Sequence, residues 1–222
     1  MIALVLIGTI ATVILVPLTS GGQYSFLETD ADGSPIRWDP CRPIHYVTNL
    51  ELAPRTELAD VQEAVRRVSV ATGIRFVYDG ATSALPQGIA PQGKTVTTGP
   101  GEDWAPLLIA WVDAKQFSVL AGDNPSAAAL AHPIRGPSDF YVSGFVAVNA
   151  DDHLYPGFGF GPTWGPVLLH ELGHIVGLGH VPSSSELMNA TENPIVTDWG
   201  KGDLEGLRLL GRQAGCPASA DG

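Results

Sequence analysis

The sequence predicts an α+β fold, and three observations carry that prediction. Five runs have the length and apolar character of strands, three stretches place apolar residues at helical spacing, and the 222 residues are 45% hydrophobic against 16% charged. That balance excludes a disordered polyampholyte and suits one domain, or one domain with a small appendage. Acidic residues outnumber basic ones 23 to 12, for a formal net charge of -11. No basic patch can be assembled from so few scattered cations, so nucleic acid and anionic membrane surfaces are poor partners. Gly (26) and Pro (18) predict long, shaped loops around a modest amount of regular structure.

Taken in order, Ile2 to Val16 is an almost unbroken apolar run closed by Pro17 and the small residues Thr19, Ser20, Gly21 and Gly22. It is short for a spanning helix, which needs ~20 residues, and suits the apolar region of a signal peptide, although no Lys or Arg precedes it. Residues 1–22 are therefore expected to be a signal peptide or a retained N-terminal anchor, and residues 23–35 a polar linker. Pro43 to Asn49 reads as a strand, with Ile44 and Tyr46 alternating against His45 and Val47. Thr56 to Thr72 carries Leu58, Val61, Val65 and Val68 at helical spacing, with Gly73 as its C-terminal stop. Ile74 to Tyr78 is a second strand, and 79–105 a long loop rich in Gly, Pro and Thr.

Leu107 to Val112 is an apolar strand, Ala128 to Ile134 a short one, and Tyr141 to Val148 another with Gly144 inside it. A Gly/aromatic/Pro loop follows over Pro156 to Pro166, where Trp164 and the Gly157–Gly161 run are expected to shape a cleft wall. Val167 to Leu178 is helical, Ser183 to Trp199 irregular, and Asp203 to Leu210 a last helix with Asp203 as its N-cap. There is no internal repeat. The two cysteines, Cys41 and Cys216, exclude a cysteine-built zinc ribbon or iron–sulfur site. They are either two buried thiols or a disulfide, and the export signal favours the disulfide.

The informative stretch is His170-Glu171-Leu172-Gly173-His174-Ile175-Val176-Gly177-Leu178-Gly179-His180. On a helix, His170 and His174 project from one face one turn apart, so both imidazoles can converge on a single metal. Glu171 is rotated by about 100° from that face and can lean over the site without being a ligand. Gly177 stands where the helix must end if His180 is to reach back, and glycine accepts the left-handed turn this needs. Three neutral imidazoles leave a fourth position for water, the arrangement of catalytic rather than structural zinc.

HExxHxxGxxH followed eight residues later by Met188, in Glu186-Leu187-Met188-Asn189, resembles the metzincin zinc proteases, and the gap is similar to that of the matrixin branch. The stretch from Asp203 to Gly211 resembles the matrixins' C-terminal helix, and Leu130-Ala131-His132 their substrate-flanking edge strand. The resemblance covers roughly residues 36–216, taken as the protease domain, with 217–222 as a tail. It implies a mixed five-stranded sheet above a horizontal cleft, with a Met-turn and a helix below. It also implies that Met188 floors the imidazoles, that Leu130 and Ala131 pair with an extended substrate, and that Asp203 bonds to the Met-turn backbone. The chain departs from the family in three places. Ala121-Gly122-Asp123 and Phe145-Val146-Ala147 leave two His of the matrixins' second zinc site absent, so no such site is expected, the turn reads Leu-Met-Asn-Ala, and no propeptide cysteine motif is present.

The expectation is a secreted, monomeric zinc endopeptidase acting on peptide or protein substrates. His170, His174 and His180 would hold Zn2+, and Glu171 would be the general base. Competing readings are an exported zinc-containing binding protein with the fold but little turnover, and a zinc hydrolase of non-peptide amides. His132 is expected at solvent or the cleft edge and His45 on a strand face. Asp151-Asp152-His153 is a weak Ca2+ candidate, being short of the six to eight oxygens that calcium prefers. Asn189-Ala190-Thr191 matches a glycosylation sequon.

Overall fold

The computed structural model describes residues 22–87, 104–121, 128–137, 139–191 and 193–217. Along the chain these form β1 (Ser25–Phe26), β2 (Arg37–Trp38), β3 (Ile44–Asn49), α1 (Glu57–Thr72), β4 (Phe76–Ala81), β5 (Leu107–Val112), β6 (Ala129–Arg135), β7 (Phe140–Asn149), α2 (Trp164–Val176), β8 (Leu178–Gly179) and α3 (Lys201–Leu210). The main sheet has six strands in the order β2-β7-β5-β3-β4, all parallel, with β6 running antiparallel along β7. The chain is thus α+β with a mostly parallel sheet. The strand beyond the expected five is β2, whose two residues are too few to show a period.

β5 sits mid-sheet and is buried at every residue. Leu107, Ile109 and Trp111 face the layer built by α1 and α2, while Leu108, Ala110 and Val112 meet Phe117, Leu120, Phe145 and Ala147 on the other side. Burial on both faces explains why this strand reads as a continuous apolar run rather than as an alternation. β6 pairs with β7 alone among the described strands.

Several expectations need correction. Residues 23–35 are not a linker: Ser25 and Phe26 pair antiparallel with Gly179 and Leu178, and Thr29 bridges Pro35. α2 begins at Trp164 rather than Val167, because Pro166 in a first turn forfeits no intrahelical bond. Trp164 is 1% exposed and packs edge-on against Trp111, 5.7 Å between centroids, so it belongs to the core and not to a cleft wall. In α1 the expected Leu58 is only half-buried, whereas the neighbouring Glu57 is 0% exposed. β4 runs later than expected, to Ala81, taking its last residues from the predicted loop.

Cys41 and Cys216 form a disulfide across 175 residues, with 5.6 Å between Cα atoms. Bonds of this kind persist in oxidising compartments such as the extracellular space. Among the described residues no helix is long and apolar enough to cross a membrane. The expected export segment at residues 1–21, residues 122 and 123 of the second-zinc comparison, and tail residues 218–222 lie outside the described residues.

Candidate metal centre

α2 is apolar on most of its surface and packs against both the sheet and its neighbour α1, which fixes the direction of its two histidines. Its C-terminus is set by Gly177, at φ 114°, whose N–H donates to Gly173 O (3.1 Å) and His174 O (3.0 Å). The chain then turns through β8 and delivers His180 back to the helix, as the glycine's position predicts. The three Nε2 atoms stand 3.1 Å from one another in all three pairs.

What fills that triangle follows from the tautomers. His170 Nδ1 lies 2.8 Å from Leu187 O, and His174 Nδ1 lies 2.8 Å from Leu178 O. A carbonyl can only accept, so both rings carry their proton on Nδ1 and turn the lone pair of Nε2 inward. A proton on His180 could satisfy at most one of the three contacts. The arrangement is repulsive as it stands and favourable around a cation. Three nitrogens at ~2.0–2.1 Å from one ion in tetrahedral geometry stand about 3.3–3.4 Å apart, within a few tenths of an ångström of the observed spacing. Among the described residues this is the one group of three or more His, Cys, Asp or Glu side chains able to hold a metal ion.

Burial keeps these rings neutral, as metal ligation requires. Desolvation, aided by the neighbouring imidazoles, pushes His174 down to about 3 and His170 down to about 4. His180 is exposed and is lowered by the same cause.

The triad opens on a cavity of about 1020 Å³ that Glu171, Leu130 and Ala131 also line, with Gly161, Pro162 and Thr163 before α2 and Asn193, Pro194 and Val196 after Met188. Glu171 is 8% exposed. The loops on either side of the cavity are joined where Gly161 N–H donates to Pro194 O at 2.9 Å.

Beneath the triad, Met188 is 1% exposed, and a Cβ built on Gly173 would stand 2.6 Å from its sulfur. Only a glycine lets the turn approach the helix so closely, one residue before His174. Asp203 accepts from Leu187 N–H (2.6 Å), Met188 N–H (3.4 Å) and Gly200 N–H (2.9 Å), so it holds both the turn and the start of α3. Sitting in the first turn rather than at the N-cap, it has Gly200 as the capping position. Burial raises the Asp203 pKa, partly offset by these donors. Glu186 returns the clamp by accepting from Gly202 and Asp203 N–H at 2.9 and 3.1 Å. Val181 N–H donates to Met188 O at 2.9 Å and Asn189 Nδ2 to Val181 O at 3.0 Å, lacing the turn to the chain just past His180. The sequon's Asn189 amide thus has a structural partner.

Other histidines lie elsewhere. His132 packs its ring 5.6 Å from Phe145, and His45 pairs with Asp79 at 2.9 Å. Among the described residues, Asp151, Asp152 and His153 do not form a second group of three metal-holding side chains. Sequence reasoning missed the Glu186 half of the clamp and the contact of Ser25 with the His180 peptide. An acidic residue in an irregular loop carries no periodic signal, and neither does a two-residue strand. A scan against protein-family models finds no match for this chain, and a search of curated proteins finds none.

Proposed function

We propose that this chain is a secreted zinc-dependent endopeptidase of the metzincin type, similar to the matrixins, that cleaves extended segments of peptide or protein substrates. The observation that carries the reading is the triangle of inward-facing Nε2 lone pairs beside a buried glutamate at the floor of an open cleft. His170, His174 and His180 would hold the zinc. When bound, zinc supplies Lewis acidity, which makes water acidic enough to ionise near neutral pH and polarises a carbonyl. Glu171 takes the proton of the attacking water and carries it to the departing amide nitrogen. The outer edge of β6, with Leu130 and Ala131 on the cleft, offers backbone groups to an extended chain, adding a strand to the sheet. Leu187 O and Leu178 O hold two imidazoles in the Nδ1–H tautomer, and Met188 closes the floor without ligating.

Incubation of the purified protein with casein, with and without a zinc chelator and alongside Glu171→Ala, tests this reading. Chelator-sensitive cleavage that is lost in Glu171→Ala while zinc is retained supports it. Cleavage by Glu171→Ala at the wild-type rate overturns the role of the glutamate. Zinc bound without cleavage favours the binding-protein reading, and turnover confined to small amides favours a non-peptide hydrolase.

A further inference from the structure

We propose that the N-terminal strand is part of the metal centre, with Ser25 as a positioning residue that holds the third ligand in place; this rests on reading the three imidazoles as a metal site. Ser25 Oγ donates to the backbone carbonyl of His180 at 2.8 Å. Leu27 N–H donates to Gly177 O at 2.8 Å, and Ser25 and Phe26 face Gly179 and Leu178 in the β1–β8 ladder. Residues 25–27 therefore brace every step from the end of α2 to His180. The same ladder steadies Leu178, whose carbonyl fixes the tautomer of His174. Two of the three imidazoles are thus oriented through one short strand.

The fit is close. A Cβ built on Gly179 would stand 2.7 Å from Ser25 Oγ and 2.8 Å from Phe26 O, so the strand lies flat on a glycine that leaves it room. The strand's approach is held too: a Cβ on Gly202 would run into Gln23 O, and one on Gly206 would stand 3.0 Å from Tyr24 Cβ. The segment threads past α3 before it reaches β8. His180 is the exposed ligand, beyond the helix, and on its other side Val181 is bonded to Met188 and Asn189. A ligand on a bend binds tightly only if the bend is rigid, since an ion that must order it loses that ordering entropy from its affinity.

The test is zinc affinity of the full chain, measured by competition with a chromophoric chelator, for wild type, Ser25→Ala and Ser25→Thr. Thermal unfolding of each metal-free protein is followed in parallel. Loss of an outer-shell partner weakens metal binding by about 10–100-fold, and that is the expectation for Ser25→Ala. Ser25→Thr keeps the hydroxyl and restores affinity to within a few-fold, and metal-free unfolding midpoints stay together. Equal affinities in all three proteins would overturn the inference and leave the metal site standing. So would a loss in Ser25→Ala matched by an equal loss of metal-free stability, because Ser25 would then be merely structural. Absence of zinc binding by the wild type would overturn the metal reading itself, and this inference with it.

Discussion

Asp203→Ala removes the carboxylate that joins the Leu187–Met188 turn to α3, and its cost can be worked from the bonds it breaks. Asp203 is 1% exposed and accepts three backbone donors. Gly200 is half-buried and can recruit water, but the N–H groups of Leu187 and Met188 would be left buried and unpaired. Each such orphan costs ~1–3 kcal/mol, with the 3.4 Å contact at the weak end. Relief of carboxylate burial beside Glu186 offsets part of this. A net loss of about 2–4 kcal/mol follows, which for a domain of this size lowers the unfolding midpoint by about 4–16 °C. Asp203→Asn keeps one acceptor oxygen and should fall between wild type and alanine. Thermal unfolding monitored by circular dichroism on the metal-free proteins measures it directly. A midpoint shift under about 2 °C for Asp203→Ala, or a larger one for Asn than for Ala, would mean that these bonds do not hold the turn to the helix.

Glu57 is fully buried, and desolvation, with Asp60 nearby, pushes its pKa from 4.5 up to about 7. The fold favours the protonated acid, so this group's contribution is full below 4.5 and is lost as pH rises through about 7; Glu57→Gln should therefore be more stable than wild type at pH 8, with little difference at pH 4, in urea titrations. His174 and His170 shift the other way. With folded values of about 3 and about 4 against the ordinary 6.5, the unfolded chain binds more protons in between, so stability is full above 6.5 and is lost as pH falls toward 3. Unfolding of the metal-free protein across that range should show the loss, and His174→Gln should flatten it. Replacing both Cys41 and Cys216 by Ser opens a 175-residue loop and should cost about 2–5 kcal/mol, read as a lower urea midpoint that reductant no longer changes.

Much of this architecture is legible in the chain because the relevant signals are local. The helical spacing of His170 and His174, the glycine at 177 and the apolar run of β5 each express a single element's geometry, and each lies where its pattern places it. The parts that escape reading depend on partners distant in sequence. β1 and β2 are two residues each and exist only because Leu178–Gly179 and Phe140–Tyr141 pair with them. Glu57 is polar at a position where the helix turns inward, so binary patterning selects its neighbour Leu58 instead. Trp164 follows a Gly-rich loop and reads as part of it, while its burial is decided by Trp111, far back in the sheet. Ser25 sits in a polar stretch, and nothing local marks the carbonyl it holds.

If three imidazoles converge on one ion, elemental analysis of the purified, dialysed protein will find that ion. One equivalent of zinc in the wild type, falling to well under half in His180→Ala while that variant remains folded, is the predicted result. Zinc well below one equivalent in the wild type, or a content unchanged by His180→Ala, would contradict it.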